Sequence, residues 1–455
     1  MLRSKATHPP HTKMHPPLCI LGCRLALLTG MALFPALGKA QQWVEITPSD
    51  GRAPSPRYNH TGIYDREHHR LVIFGGRGGG GAVNDVWAFD LASHTWHELT
   101  PFEGPAPAPR FTPAGVYDEA GGQMVMWSGQ GSAFLNDVWA FDLTDQTWTD
   151  LSPDVAPNIR YGVAAVFNPV ARSLVTFAGF TDQGRFDDTW TFDMEQNAWS
   201  DVTPETGPMQ RCLHTASYDA GAHRMLIYGG QRSGPLEDLW SFDLNAGEWT
   251  ELSSLTTPPE GRYFAASVYD EINDRLLVFG GNRGGAGLSN EVWSYSALTN
   301  NWSLESPSGT PPEARQGAVA VYVESEDRVI VFGGQGSTHL NDVWSLDLES
   351  TTTSLEPDET PRQTALRLYP NYPNPVASST TIEYELEHPM PVAITVYDLH
   401  GRTVRRLADG MHSGGRHSVT WDGRDAAGRR LTPGVYLYQL RSGEAVSHRS
   451  LVVGR

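Results

Sequence analysis

Short apolar runs recur along the first three quarters of the chain, and each run ends in a pair of small residues that polar residues follow. The pairs are spaced by 50 to 53 residues. They are Gly75-Gly76, Ser128-Gly129, Ala178-Gly179, Gly229-Gly230, Gly280-Gly281 and Gly333-Gly334. Self-similarity at such a period indicates a repeat architecture in which every repeat is one supersecondary unit.

Two ladders of tryptophan keep the same period. The first comprises Trp87, Trp139, Trp190, Trp240, Trp293 and Trp344, and the second, nine residues later, comprises Trp96, Trp148, Trp199, Trp249 and Trp302. The sixth copy has Thr353 at the second position, and the missing Trp occurs upstream of the first repeat as Trp43. The segment 43–48 matches 96–101, so we expect the N-terminal strand to complete the last repeat.

Each repeat divides into four short strands. In the first copy they are 58–64, 70–74, 85–89 and 96–99, with turns at 65–67 and 90–94 that are rich in Asp and other polar residues. Four strands in about 50 residues are typical of one propeller blade. We therefore predict an all-β chain, with a six-bladed β-propeller over 41–357 that the N-terminal strand closes.

The repeated elements resemble kelch repeats. Gly75-Gly76, Asn84-Asp85-Val86-Trp87 and Trp96 show the pattern best, and an Arg precedes the first strand of each copy. Ser128 and Ala178 depart from the diglycine, although both residues are small. The resemblance covers about residues 43–357 and implies a propeller in which the first strand of each blade is the innermost.

The last 90 residues have a different pattern. Alternating segments at 381–386, 392–397 and 435–440 predict a small β-sandwich over 366–455, after a polar linker at 358–365. The run 369–375 (Tyr-Pro-Asn-Tyr-Pro-Asn-Pro) and Trp421-Asp422-Gly423 resemble the C-terminal sorting domains of type IX secretion cargo, and also the immunoglobulin-like domain of flagellar hook-capping proteins. The resemblance implies that residues 366–455 engage an outer-membrane secretion machinery, although Arg455 stands where such tails often carry Lys.

Residues 1–40 have the pattern of a signal peptide. Basic residues precede an apolar stretch at 18–37, and small residues at 38 and 40 permit cleavage after Ala40. Lipoprotein processing at Cys23 and a membrane anchor are the alternatives, and the apolar run beyond Cys23 and its interruption by Arg24 and Pro35 disfavour them. We expect a secreted or cell-surface protein without a membrane span in the mature chain.

The composition excludes several classes of protein. A charged fraction of 19% with 39% hydrophobic residues excludes a disordered chain. With 34 basic and 52 acidic residues, the net charge of −18 argues against a nucleic-acid partner. Residues 41–365 hold 18 basic and 44 acidic residues, a formal −26 that would attract cations and basic partners at low salt. After cleavage Cys212 stands alone, so no disulfide framework is expected.

Motif-like features indicate no cofactor. Residues 76–81 fit the spacing GxGxxG, but no helix is predicted after them, and a dinucleotide site needs a helix N-terminus. His60, His68 and His69 lie close in sequence without a Cys partner, so we predict no metal site. HExxH, CxxC and GxSxG do not occur.

Two sets of recurrent residues are the candidates for ligand binding. Arginines occupy one phase of the repeat, at Arg57, Arg110, Arg160, Arg211, Arg262 and Arg315. The kelch resemblance places them towards one mouth of the channel, where they could hold a carboxylate or an anionic glycan. Alternatively, each Arg bonds carbonyls or acidic residues of its own blade. The acidic residues two positions before each first Trp are interpreted as turn-fixing and as potential partners of this arginine set; they are Asp85, Asp137, Asp188, Asp238, Glu291 and Asp342.

The loops after the small pairs vary between copies, which makes them better candidates for contacts with a ligand. Their candidate residues are Arg77, Gln130, Phe180, Gln231, Arg232, Asn282, Arg283 and Gln335. The alternative is that these are ordinary solvated loop residues.

Two classes of function remain open. The first is a secreted or cell-surface propeller that binds an extracellular protein or glycan. The second is a carbohydrate-active enzyme similar to the six-bladed sialic acid mutarotases, whereas similarity to seven-bladed copper radical oxidases is disfavoured because Cys212 lies beside Arg211 at a strand start. No residue stands out as a catalytic acid. We therefore predict a binding protein without enzymatic turnover.

Overall fold

The structure is a computed structural model that describes residues 41–48, 51–297, 299–348, 366–372, 374, 376, 378–386, 388–398, 402–442 and 445–454. The predicted signal peptide at 1–40 and the predicted linker at 358–365 lie outside the described residues. Within the described ranges, no helix has both the length and the apolar character that a membrane crossing requires.

Six antiparallel sheets of four strands follow one another along the chain, each beginning with its innermost strand. We name the six sheets blades 1 to 6 and the strands of each blade A to D in sheet order. In blades 1 to 3 the strands are Thr61–Asp65, Arg70–Phe74, Val86–Asp90 and Thr95–Glu98; Ala114–Asp118, Gln123–Trp127, Val138–Asp142 and Trp148–Asp150; and Ala164–Asn168, Ser173–Phe177, Thr189–Asp193 and Ala198–Asp201. In blades 4 to 6 they are Thr215–Asp219, Arg224–Tyr228, Leu239–Asp243 and Glu248–Glu251; Ala266–Asp270, Arg275–Phe279, Val292–Ser296 and Asn301–Glu305; and Val319–Val323, Arg328–Gln335, His339–Asp347 and Gln42–Glu45.

The blades form a closed ring around a central channel. Each strand A contacts the strands A of both neighbouring blades, and blade 6 contacts blade 1 in the same way. Strand D of blade 6 is the N-terminal strand, which pairs antiparallel with strand C so that Trp43 stands opposite Leu346. The predicted all-β propeller with six blades and closure by the N-terminal strand is confirmed.

A third aromatic ladder explains how the second tryptophan ladder joins the blades. The Trp of each strand D packs on the aromatic residue of strand B that directly precedes the small-residue pair of the preceding blade, with ring centroids 4.7 to 5.3 Å apart. The pairs, in blade order, are Trp96–Phe332, Trp148–Phe74, Trp199–Trp127, Trp249–Phe177, Trp302–Tyr228 and Trp43–Phe279. Aromatic pairs at such separations add stabilisation beyond their buried area.

Backbone hydrogen bonds connect the blades at one end of the channel. Two positions after each recurrent Arg, the residue has a positive φ of 51° to 67°. These residues are Asn59, Thr112, Gly162, Leu213, Phe264 and Gly317. Five of the N–H groups donate to the carbonyl of the equivalent residue in the preceding blade, at 2.6 to 2.9 Å, as between Thr112 and Asn59. The left-handed conformation turns the chain into strand A and directs the N–H group of the same residue at the carbonyl of the preceding blade.

The two ends of the propeller differ. At one end strand A of each blade begins, and the loops between strands B and C lie there; we call this end the loop face. The opposite end carries the turns between strands A and B, and we call it the turn face. At the loop face the residues with positive φ line a small cavity of about 120 Å³.

The C-terminal domain is a β-sandwich, as predicted. Its three-stranded sheet consists of Leu366–Tyr372, Thr380–Leu386 and Gly415–Trp421, and its four-stranded sheet of Thr403–His412, Met390–Tyr397, Gly434–Ser442 and Ala445–Val453. Buried residues from both sheets form one core, among them Ile382, Ile394, Trp421, Tyr438 and Leu451.

Candidate functional site

The six recurrent arginines are buried, and each is bonded within its own blade. All six have a relative exposure of 0 to 1%. In blade 1, Arg57 donates from Nε to the Ser55 carbonyl and from Nη1 to the Gly75 carbonyl, both at 3.0 Å. Its Nη1 and Nη2 atoms also donate to the two carboxylate oxygens of Asp85, at 2.6 and 2.8 Å.

The same arrangement recurs around the ring. Arg110, Arg160, Arg211 and Arg315 form two-point pairs with the acidic residue at the equivalent position, at 2.6 to 2.9 Å. In blade 5, Arg262 donates to one oxygen of Glu291 at 2.9 Å. The guanidinium groups are therefore occupied by their own blades, and a ligand would have to displace a carboxylate to reach them.

The acidic partners also accept a hydrogen bond from the first tryptophan ladder. Trp87 Nε1 lies 2.8 Å from Asp85 Oδ2, because residues two apart along a strand project to the same side. Burial would raise the pKa of Asp85, but the hydrogen bonds and the charge of Arg57 outweigh burial and hold this pKa below its usual value. At Asp137 and Asp238 burial likewise raises the pKa, and the hydrogen bonds and charges of Arg110 and Arg211 outweigh burial and lower it.

The loop face carries a cluster of half-buried aromatic side chains at blades 2 and 3, which we call the loop-face cluster: Phe111, Phe134, Tyr161 and Phe180. Phe134 stacks on Tyr161 with ring planes only 1° from parallel and centroids 5.5 Å apart. Tyr161 meets Phe180 edge-on at 5.6 Å and Phe111 at 6.3 Å. Of these residues the sequence-based candidates included only Phe180.

Two guanidinium groups lie over this cluster. Arg77 Cζ is 5.4 Å from the Phe111 ring centroid, and Arg185 Cζ is 5.2 Å from the Phe180 centroid. Arg185 also donates to the Gln231 side chain at 3.3 Å. Cation–π contacts of this kind hold an arginine in place while its remaining donors stay available.

Three of the four arginines in the loops between strands B and C lack an ion-pair partner among the described residues. Within the part of 41–348 that the structure describes, Arg77, Arg185 and Arg232 have no carboxylate within ion-pair distance. Arg283, in contrast, is paired with Glu260 at 3.3 Å and with Glu291 at 3.7 Å. In a domain with a formal charge of −26, these three arginines are cations that no carboxylate of the described residues neutralises by direct contact.

The remaining loop candidates form hydrogen bonds to one another or to the backbone. Asn282 donates to Gln316, and Gln316 donates to Gln335, at 2.9 and 3.1 Å. Gln130 forms a backbone bridge with Phe111 and lies half-buried. Arg232 is exposed beside Met209. The structure thus brings Arg77, Gln130, Phe180 and Gln231, which come from blades 1 to 4, towards the loop-face cluster. Asn282 and Gln335 lie at blades 5 and 6.

The motif-like segments occupy ordinary structural positions. Residues Arg77–Gly78 and Gly81–Ala82 form a two-stranded hairpin within the GxGxxG-like segment, and the element that follows is strand C. The prediction of a loop without a following helix is confirmed. His68 and His69 lie on the turn face and contact Asp65 and Glu326. Across the described ranges, no three His, Cys, Asp or Glu side chains come together as a potential metal site.

A missed signal for the loop-face cluster exists in the sequence. The residue directly after the recurrent Arg is aromatic in four of the six copies, as Tyr58, Phe111, Tyr161 and Tyr263, and Cys212 and Gln316 take the other two positions. Cys212 is buried, and burial raises the pKa of its thiol while the neighbouring Arg185 opposes that shift.

Two family models match the chain. The KLHDC2/KLHL20/DRC7 Kelch-repeats domain matches residues 37–209, 84–252 and 203–363, and the FlgD Ig-like domain matches residues 376–445. Both matches agree with the two architectures described above.

The chain is similar to parts of several eukaryotic proteins. The leucine-zipper-like transcriptional regulator 1 homolog of Drosophila melanogaster is 29% identical over 44% of this chain and 21% of its own length. The flagellar outer-arm dynein alpha chain of Chlamydomonas reinhardtii is 25% identical over 67% of this chain and 7% of its own length, and dynein regulatory complex subunit 7 of the same alga is 42% identical over 18% and 7%. The chain therefore spans between 7% and 21% of the length of these relatives. Because the kelch model matches more than half of its residues, this chain belongs to the kelch-repeat family, and it carries a domain similar to the FlgD immunoglobulin-like domain.

Proposed function

We propose that the protein is a binding protein whose loop face holds a carboxylate-bearing polypeptide segment of a partner protein. One observation carries the proposal: Arg77 and Arg185 lie over the aromatic loop-face cluster, and neither has a carboxylate partner in the described chain. Kelch-repeat relatives support a protein partner.

The chemistry of the loop-face cluster favours a peptide with both apolar and acidic residues. The parallel rings of Phe134 and Tyr161 offer a flat apolar surface of the kind on which extended or proline-rich segments dock. The guanidinium groups at its two sides would bind carboxylates at two points, which fixes register as well as affinity.

The test is a peptide array probed with the full chain. Acidic peptides are compared with versions in which Asn and Gln replace Asp and Glu. The variant with Arg77→Ala and Arg185→Ala should lose at least about tenfold in affinity for the acidic peptides, as expected for truncated interfacial charge contacts. Arg402→Ala, at a side chain 78% exposed on the C-terminal domain, is the matched control and should bind as the wild type does.

Three outcomes are decisive. Acidic and amide peptides that bind equally well contradict the proposal, and so does unchanged binding by the double variant. A parallel array of acidic glycans that is bound with the same dependence on Arg77 and Arg185 would replace the polypeptide with an extracellular glycan as the ligand.

We further propose that the protein acts outside the cell, at the cell surface or in the medium. The signal-peptide pattern of 1–40 and the similarity of 376–445 to the FlgD Ig-like domain support this address. In a bacterium with type IX secretion, the full chain should become accessible to external protease and a chain without 366–455 should not. Equal retention of both chains inside the cell would contradict export.

A further inference from the structure

At the turn face the channel widens into a cavity. This cavity has a volume of about 400 Å³, which lies in the range of small-molecule binding sites. Strand A of every blade contributes to its wall, and Asn371 and Asn374 of the C-terminal domain contribute to its far side. The cavity is therefore built by both domains together.

The C-terminal domain is attached to the turn face by two buried or half-buried side chains. Asn374 donates to the Ala220 carbonyl at 2.9 Å and accepts from the Val452 amide of its own domain at 2.8 Å. Arg449 donates from Nη1 to the Glu271 carbonyl, from Nη2 to the Ile272 carbonyl at 3.1 Å, and from Nε to the Leu368 carbonyl at 2.8 Å. Both side chains thus link a propeller turn to the backbone of the sandwich.

Every blade contributes one aromatic residue to this cavity, at the same position of strand A. The six residues are Tyr64, Tyr117, Phe167, Tyr218, Tyr269 and Tyr322. In four blades the hydroxyl group is engaged by the adjoining turn, as between Tyr64 and His69 at 2.8 Å and between Tyr269 and Asp274 at 2.6 Å. What these residues present to a ligand is therefore aromatic surface more than hydroxyl groups.

The charges that line the cavity are unbalanced. Arg66 is the cation, and it pairs with Glu324 at 3.2 Å and more loosely with Glu119 at 3.9 Å. Glu271 also lines the cavity, and among the described residues no hydrogen bond or ion pair reaches its carboxyl group. The donors of Arg449 are directed at carbonyl oxygens, so this guanidinium does not neutralise the Glu271 side chain by direct contact.

We propose that this cavity is a binding site for a small organic cation, an amine or a guanidinium compound. The cation is held by the six aromatic side chains that surround the cavity and by the Glu271 carboxylate. Aromatic faces attract cations, and the attraction is largest where water is excluded. The cavity of about 400 Å³ and its ring of six aromatic residues, together with the unpaired carboxyl group, distinguish this site from an acidic patch on a surface. The site lies at the opposite end of the channel from the loop-face cluster and does not depend on the function proposed for it.

A cleft between the two domains provides the route of entry. The cleft has a volume of about 530 Å³ and shares Tyr64, Arg66, Glu119 and Glu324 with the cavity. Its outer wall includes Glu383 and Arg416 of the C-terminal domain. A small solute can therefore reach the cavity while Asn374 and Arg449 keep the domains together.

The protonation of Glu271 gives the proposed binding a measurable signature. Burial, followed by the charge of Glu324 and a smaller contribution from Asp219, raises the pKa of Glu271 to about 8, against the opposing charges of Arg66 and Arg449. At neutral pH the empty site therefore holds a protonated carboxyl group. A bound cation favours the ionised form, so binding releases a proton, and affinity rises about tenfold per pH unit as the pH approaches 8 from below.

Isothermal titration calorimetry with the full chain tests the proposal. The probes are n-butylammonium, agmatine and tetramethylammonium, with n-butanol as the uncharged counterpart, and each titration is run in two buffers of different ionisation enthalpy. At least one cation should bind with a stoichiometry of one and with release of close to one proton at pH 7, and n-butanol should bind at least about tenfold more weakly.

Variants identify the site. Glu271→Gln should weaken cation binding at least about tenfold and abolish its dependence on pH, since the amide cannot ionise. The variant should remain folded, because the Gln amide is neutral at every pH, whereas the Glu271 carboxyl is neutral only when protonated. Glu251→Gln, at an exposed residue of strand D in blade 4, is the matched control and should behave as the wild type. If no cation saturates the protein at about 10 mM, or if Glu271→Gln binds as tightly as the wild type, the proposal is wrong.

Discussion

Arg57 and Asp85 form a two-point ion pair in the interior of blade 1, with Nη1–Oδ1 and Nη2–Oδ2 distances of 2.6 and 2.8 Å. The same Arg also binds the Gly75 carbonyl at the end of strand B. One guanidinium thus joins three segments of the blade: the loop before strand A, the end of strand B and the start of strand C. Because the repeat places this group in every blade, its first role is to hold each blade together.

Truncation of one such arginine should destabilise the propeller strongly. Arg110→Ala removes the cation that pairs with the Asp137 carboxylate and the donor to the Ser128 carbonyl, and loss of one partner of a buried pair costs about 3–5 kcal/mol. Urea unfolding of the full chain measures the loss. Arg77→Ala, at an exposed arginine without an ion pair, is the control and should change stability by less than about 0.5 kcal/mol. Equal stability of Arg110→Ala and the wild type would contradict this role.

Closure by the N-terminal strand should be required for stability. Trp43 is 3% exposed and packs against the rings of Phe279 and Trp344, at 5.3 and 6.4 Å. Trp43→Ala should lower the free energy of unfolding by about 3–5 kcal/mol, as large-to-small changes in a core do. Gln42→Ala, whose side chain is exposed on the same strand, should leave the melting temperature unchanged. A Trp43→Ala variant that melts with the wild type would show that the ring does not depend on this strand.

The repeat pattern predicted the blades and their closure, because both depend on residues that recur with a fixed phase. The alternation of apolar and polar residues in the last 90 positions predicted the sandwich. Trp127 is a residue whose role the sequence did not predict. It stood outside both tryptophan ladders, yet it belongs to the third ladder, in which other copies carry Phe or Tyr at the same position. A comparison of identical residues between the repeats cannot detect a position at which only aromatic character recurs.

Contacts between distant segments were less accessible to prediction. The spacing of Arg57 and Asp85 allowed a pair but did not show that the arginine would be fully buried, since burial depends on the packing of adjacent blades. The loop-face cluster arises because Phe134 folds back onto Tyr161 of the next blade. The contact of Arg449 with the turn at Glu271 joins two domains whose sequences carry no shared pattern.

The two positions of the small-residue pair should respond oppositely to substitution in blade 3. Ala178 has a φ of 60° and Gly179 a φ of 116°. A Cβ atom at position 179 would lie 2.7 Å from Val163 Cγ1 and 2.9 Å from Arg160 Cδ, so Gly179→Ala should cost about 1–3 kcal/mol in backbone and packing strain. Ala178→Gly relieves a left-handed alanine and should be neutral or stabilise by up to about 1 kcal/mol. Thermal unfolding of the two variants checks the order, and a larger loss for Ala178→Gly would contradict it.

Ser128 illustrates why a side chain is tolerated at the first position. A Cβ atom in place of the hydrogen of Gly75 would lie 2.8 Å from the Arg110 carbonyl oxygen of the next blade. In blade 2 the equivalent serine uses this proximity, because its hydroxyl donates to the Arg160 carbonyl at 2.5 Å. Ser128→Ala should therefore destabilise the protein by about 1 kcal/mol, the net value of a typical hydrogen bond.

Two buried histidines should make the propeller sensitive to mild acid. His60 and His214 occupy the same position in blades 1 and 4, with exposures of 7% and 6%, and no described residue forms a hydrogen bond to either ring. Burial, followed by the charges of Arg57 and Arg211, lowers the pKa of each to about 3, while Asp85 and Asp238 oppose the shift. Both rings are therefore neutral in the folded protein.

Acid should therefore lower the free energy of unfolding. The pKa of each histidine is lower in the folded protein than its ordinary value of 6.5, so its contribution to stability is complete above pH 6.5 and is lost as the pH falls. For the two histidines together, the loss is about 3 kcal/mol per pH unit between pH 6 and 4.5. The equivalent positions in other blades carry uncharged residues, among them Val163 and Ala265. His60→Ala combined with His214→Val should therefore flatten the slope, measured by urea unfolding at a series of pH values, whereas His97→Ala on an exposed strand should not. A slope that persists in the double variant would show that other groups cause the acid sensitivity.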